Sequence, residues 1–105
     1  MTYQFGEILL LSFPFSDTGA FKKRPALVLL DSNDDDVVVC RITSVRHFSS
    51  YDVFIQSWQQ AGLLTPSTIR VHKIATLKKT LVDKRIGHLN QQLKEEVINI
   101  FQSLV

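Results

Sequence analysis

Residues 22–30 read "KKRPALVLL": Lys22, Lys23 and Arg24 run straight into Pro25, and Pro25 into an unbroken apolar run. A short, bounded apolar run of this kind reads as a buried strand. Proline suits its first position, because a strand's first residue need not donate to the ladder. Strands usually begin from turn residues, not from charge. The three cations therefore either keep a loop soluble or hold something anionic against the edge of a sheet.

Working outward, "EILLLSF" from Glu7 is a first strand closed by Pro14. The connection "PFSDTGAFKKR" carries Asp17 and Gly19 as turn formers. It is longer than the ~4–6 residues typical of such links, which marks a functional loop. Downstream, "SNDDD" is a hairpin turn and "VVVCRIT" a third strand ending at Thr43. "YDVFIQ" is a fourth strand. "TIRVHKIATL" is one or two more, with Ile69, Val71 and Ile74 on one side and Arg70, His72 and Lys73 outward. The period then changes. "NQQLKEEVINIFQSLV" places Leu93, Val97, Ile100, Phe101 and Leu104 at helical spacing, with Asn90 as N-cap. Short strands at regular spacing followed by one helix predict a mainly β (α+β) fold, a small barrel or sandwich with a C-terminal α-helix.

The 105 residues fit a single domain, 1–105, able to carry its own core. At 45% hydrophobic and 21% charged the composition is that of a globular protein. No apolar run approaches the ~18 residues of a membrane span, and no leader opens the chain. The single cysteine, Cys40, excludes an internal disulfide and reads as a small buried hydrophobe. The expected compartment is the cytoplasm. Net charge is only +2, but its distribution is uneven. Arg70, Lys73, Lys78, Lys79, Lys84 and Arg85 lie close together against one acid, Asp83, while acids gather at residues 34–36 and 95–96. A segregated basic face attracts polyanions even when the total is near neutral.

In order along the chain stand Gly6-Glu7, "FPF", "KKRPALVL", "ITS", "PSTIRVHKIATL" and "IGHL". From Gly6 to Leu89 this series resembles the MazF/PemK toxins of type II toxin–antitoxin systems. The resemblance implies a Src-homology-3-like barrel with a terminal helix (MazF/PemK/CcdB-like), forming a homodimer. It implies a metal-independent mRNA interferase without cofactor, a sequence-selective endoribonuclease. Such an enzyme cuts single-stranded mRNA to a 2′,3′-cyclic phosphate and a 5′-hydroxyl end. A cognate antitoxin protein would block the RNA groove, and the complex of the two would bind DNA. By motif, catalysis is assigned to Arg24 and Thr43. Residues 16–23 become the mobile segment over the RNA, and residues 44–50 border the groove.

The residues read independently fit that chemistry. Arg24 offers a planar fork of donors for two phosphate oxygens, and Thr43 a hydroxyl for a further hydrogen bond. A guanidinium is a poor base at neutral pH, so Arg24 is read mainly as a charge stabiliser. His47, four residues past Thr43, carries an imidazole, a common proton carrier, but reads first as a solvated loop histidine. RNA contacts are expected from Lys22, Lys23, Phe21, Ser44, His47, Phe48, Arg70, Lys73, Lys78 and Lys79, with Lys84 also tracking phosphate. Aromatic rings, Phe21 and Phe48 foremost with Phe15 and Tyr51 beside them, would stack bases. Trp58 is read as core or dimer. The histidines lack metal-ligand spacing and residues 34–36 read as a turn, so no metal is expected. Two rivals share the fold: a CcdB-like gyrase poison and a catalytically silent RNA-binding relative. "IFQSLV" offers the first no polar anchor.

Overall fold

The structure is a computed structural model that describes residues 2–14 and 21–105. Residues 15–20, with Phe15 and most of the expected mobile segment, lie outside the described residues, as does the side chain of Phe21. The strands are β1 (Glu7–Pro14), β2 (Phe21–Leu30), β3 (Asp36–Thr43), β4 (Asp52–Ile55), β5 (Ser67–Lys78) and β6 (Val82–His88). One turn of 3-10 helix, Lys79–Leu81, precedes β6, and the helix α1 (Gln91–Ser103) follows it. The six strands form one sheet in the order β4-β5-β3-β2-β1-β6, every pairing antiparallel. The expected mainly β architecture with a terminal helix is the one observed.

The central strands read as continuous apolar runs because both of their faces are covered. On one face Ile8, Leu27, Cys40 and Ile42 join Val53, Ile55, Ile69, Val71, Leu93 and Val97. On the other Leu9, Leu11, Ala26, Val28, Val37 and Val39 pack under Tyr3, Leu77, Leu81 and Val82. Each fully buried Leu, Ile or Val is worth about 1.5–3 kcal/mol of transfer free energy. Cys40 is buried, and desolvation pushes its thiol up to about 12, so it acts as an inert core residue.

Strand β2 begins earlier than the expected start at Pro25. Lys22, Lys23 and Arg24 pair with Phe13, Ser12 and Leu11, so the cations stand on a hairpin arm. Pairing between β2 and β3 starts only at Ala26, opposite Arg41, so the missing N–H of Pro25 costs nothing on that side.

The stretch read as one or two strands is one bent strand. Cys40 pairs with Ile74 but Arg41 with Arg70, leaving residues 71–73 without partners on β3. The Val71 N–H donates instead to the Tyr51 carbonyl at 3.0 Å. Beyond that bend Ile74 is 43% exposed, so it does not join Ile69 and Val71 in the core.

Strand β6 carries no strand pattern in the sequence because Asp83, Lys84 and Arg85 interrupt it, as an edge strand tolerates. Its free side meets the loop after β4 through glycine. A Cβ on Gly62 would lie 1.9 Å from the Ile86 carbonyl oxygen, and one on Gly87 would lie 1.8 Å from that of Ala61. This contact of backbone on backbone closes the curled sheet where strand pairing stops.

Helix α1 starts as its sequence predicts: Asn90 Oδ1 accepts from the Leu93 N–H at 2.9 Å. Leu93 and Val97 are buried, and Ile100 and Leu104 pack against the same core, while Phe101 is 40% exposed. Replacing Asn90 by Ala should lower stability by about 1 kcal/mol, read as a shift of the urea midpoint at unchanged slope. No described helix is long and apolar enough to cross a membrane.

Candidate functional site

The ends of β2 and β3 carry Lys23, Arg24 and Pro25, and Ile42, Thr43 and Ser44. With the loop after β4 and with Lys84, Arg85 and Ile86 of β6 they line a cleft of roughly 610 Å³. The two residues singled out for catalysis, on strands far apart in sequence, thus reach one cleft. Arg24 stands two residues before Ala26 and Thr43 two residues after its partner Arg41, so both flank the end of the β2–β3 ladder and line the cleft. Thr43 is nearly buried, and its Oγ1 accepts from the Val45 N–H at 3.2 Å. That bond leaves the hydroxyl proton available to donate.

Charge around the cleft is positive but partly matched. Lys23 Nζ lies 3.2 Å from Asp83, both well exposed, so the pair adds only about 0–1 kcal/mol and yields easily to an anion. Arg85 is tied to Glu7 and lies over the Tyr3 ring, with its centre 5.4 Å from the centroid. Lys84 makes no ion pair among the described residues. Lys84 is an expected phosphate contact, whereas Arg85 beside it in "DKRIG" is legible as a cleft residue only once that segment is seen to be a strand.

Of the other expected contacts, Ser44 lines the cleft and Lys22 stands exposed beside it on β2. His47 and Phe48 sit on the loop after Thr43, His47 half-buried and Phe48 82% exposed. Arg70, Lys73, Lys78 and Lys79 are not brought to the cleft. Arg70 Nε bonds Asp52 at 3.0 Å in a nearly buried pair. Burial raises the Asp52 carboxyl, but hydrogen bonds from Ser49 and Arg70 outweigh it and hold the group below its ordinary value. Lys73 is exposed on the bend of β5. Lys78 and Lys79 lie at the far end of the sheet beside Asn33, Asp34 and Asp35. Trp58 packs against the core. Among the described residues no three His, Cys, Asp or Glu side chains stand together as a metal site.

Lys79 Nζ lies 2.9 Å from Asp31, and with the Tyr3 N–H it brings that carboxyl down to about 2. A depressed folded-state value means the pair stabilises the fold above the unfolded value of 3.8 and ceases to as pH falls through about 2. The fold should therefore lose stability between pH 3.8 and about 2, and Asp31→Asn should flatten that part of the profile, measured by urea unfolding at stepped pH.

Residues 4–105 match the family described as PemK-like, MazF-like toxin of type II toxin-antitoxin system. Solved structures share the fold at low identity. The Mycobacterium tuberculosis toxin MazF-mt6 is 23% identical, with a TM-score of 0.71 over 91% of this chain and 96% of that one. MazF in a MazE-MazF structure from Deinococcus radiodurans gives 18% and 0.78 over 99% and 95%. An endoribonuclease in complex with its cognate antitoxin from a mycobacterial species gives 16% and 0.79 over 97% and 93%. No curated protein sequence matches the chain.

Proposed function

The chain belongs to the PemK-like, MazF-like toxins of type II toxin–antitoxin systems, and from that membership we propose that it is a metal-independent, sequence-selective endoribonuclease acting on single-stranded RNA. The observation that carries this reading is the meeting of Arg24 and Thr43 in one cationic cleft.

In the reaction, the ribose 2′-oxygen attacks the adjacent phosphorus and the bond to the 5′-oxygen breaks. One proton leaves the 2′-oxygen and one joins the departing 5′-oxygen, giving a 2′,3′-cyclic phosphate and a 5′-hydroxyl. Negative charge builds on the non-bridging oxygens as phosphorus becomes five-coordinate. The Arg24 guanidinium answers that charge with two parallel donors, and the Thr43 hydroxyl adds a third. Lys84, and Lys23 once its exposed pair with Asp83 yields, hold the flanking phosphates without reading sequence.

An antitoxin protein and a second copy of the chain are the proposed partners, and the cytoplasm the proposed compartment. The solved relatives bound to antitoxin support the first.

The test is a long single-stranded RNA incubated with purified protein in EDTA. Discrete cuts ending in 2′,3′-cyclic phosphate are expected. Intact RNA with a folded protein would remove the nuclease reading and leave RNA binding without chemistry.

A further inference from the structure

The loop between β3 and β4, residues 44–50, is pinned at both ends. At its start the Val45 N–H is held by Thr43 Oγ1. At its end the Ser49 N–H and hydroxyl both donate to Asp52 Oδ2, at 2.9 and 2.6 Å, and the Tyr51 N–H donates to Ser49 Oγ at 3.2 Å. Asp52 is fixed in turn by Arg70. Between these anchors stand Arg46 and Phe48. The Arg46 Cζ lies 3.6 Å from the centroid of the Phe54 ring and 4.8 Å from that of Phe48. Phe48 is left 82% exposed.

Register relates this stack to the reaction. Thr43 pairs with Thr68 across β3 and β5, and Thr68 with Phe54 across β5 and β4. The three side chains share one face in one row, and two interstrand steps separate Thr43 from Phe54 by roughly 10 Å. Thr68 itself is buried, and its hydroxyl has no hydrogen-bond partner among the described residues. A satisfied fold rarely leaves such a group unpaired.

We infer that Arg46, Phe48 and Phe54 form a nucleobase subsite, which stacks one base of the single-stranded RNA near the scissile phosphate and makes cleavage selective at that position. The inference rests on the nuclease reading and adds to it the residues that read sequence. Guanidinium planes and exposed phenyl rings are the surfaces on which unpaired bases stack. Because every base has a π-face, the rings hold and orient the base, and selectivity comes from the guanidinium donors that the oriented base meets. A guanidinium already held over the Phe54 ring loses little freedom when a base joins it, and it keeps N–H donors for the base. The pinned loop presents the stack at a fixed distance from Thr43, as selectivity requires.

The experiment uses the full chain and a pool of single-stranded RNA randomised in sequence, with the cut ends sequenced. Wild type, Phe48→Ala and Arg46→Lys are compared, the last keeping charge but losing the plane. At one position beside the cut, the ratio of best to worst base should fall about tenfold in both variants, while cuts persist. Both side chains are exposed, so folding should survive, and a circular dichroism spectrum checks it. Persistent cutting with unchanged preference in both variants overturns the subsite and leaves the nuclease standing. If wild type cuts nothing, the nuclease reading falls, and binding of a 2′-deoxy oligonucleotide decides the subsite separately. About tenfold weaker binding by Phe48→Ala supports it, and equal binding overturns it.

Discussion

Arg24→Ala should lower the single-turnover rate of RNA cleavage by about 10²–10³-fold, the usual loss when one donor to a developing oxyanion is removed. RNA affinity should fall much less. On the proposed function Lys23 and Lys84 also contact the RNA phosphates, so the loss of one cation among several should weaken encounter only modestly. The difference lies in the transition state, where the extra charge on the phosphorane strengthens the fork of Arg24 more than any flanking contact. Arg24→Lys separates charge from geometry: it restores the cation but not the two parallel donors, so its rate should fall between wild type and alanine. Thr43→Ala should also slow the step, by less, since a neutral hydroxyl gives one weaker hydrogen bond. The measurement is a rate at saturating enzyme, beside a binding isotherm on a 2′-deoxy RNA analogue. If Arg24→Ala loses affinity but keeps its saturating rate, Arg24 only binds, and the chemistry belongs to another group.

The sheet was legible where apolar patterning and turn chemistry agreed. "ALVLL", "VVVCRIT" and "EILLLSF" are covered on both faces, so their continuous apolar runs announced buried strands without ambiguity. Helix α1 was legible from its cap as well as its stripe. What escaped reading depends on pairing between distant segments. The bend of β5 follows from a register shift against β3 that leaves no mark in "RVHKIA". The strand β6 carries three charges in succession, and only its place at the edge of the sheet makes that acceptable. The same holds for the site. Arg24 and Thr43 stood out by motif and meet in the cleft. Charge counting, by contrast, grouped Arg70 and Lys79 with Lys84, although two of the three are held by acids distant in sequence. Asp52 takes Arg70 and Asp31 takes Lys79. A cation's availability is a property of its neighbours in space, and composition cannot supply those. Arg46 escaped for the converse reason: its meaning comes from Phe54, a residue of the next strand.

Gly87→Ala should cost about 3 kcal/mol or more of folding free energy, a large share of what holds a chain of this size together. Most added methyl groups are absorbed when a flexible side chain swings aside. Here the atom in the way is the Ala61 carbonyl oxygen, 1.8 Å from the new Cβ, and only a shift of the backbone can relieve it. That shift would part the loop after β4 from β6, the seam that closes the curled sheet. Two companions isolate the cause. Gly62→Ala meets the Ile86 carbonyl from the other side of the seam and adds strain at φ +88, so it should cost more still. Gly6→Ala carries similar strain at φ +95, but its nearest obstacle is the movable end of the Lys94 side chain, so it should cost only about 1–2 kcal/mol. The readout is the urea midpoint and slope for each variant. Because Gly62 also lines the cleft, partial opening of the seam should lower cleavage along with stability. A Gly87→Ala protein within about 0.5 kcal/mol of wild type would show that the seam gives way freely and contributes little to holding the curled sheet together.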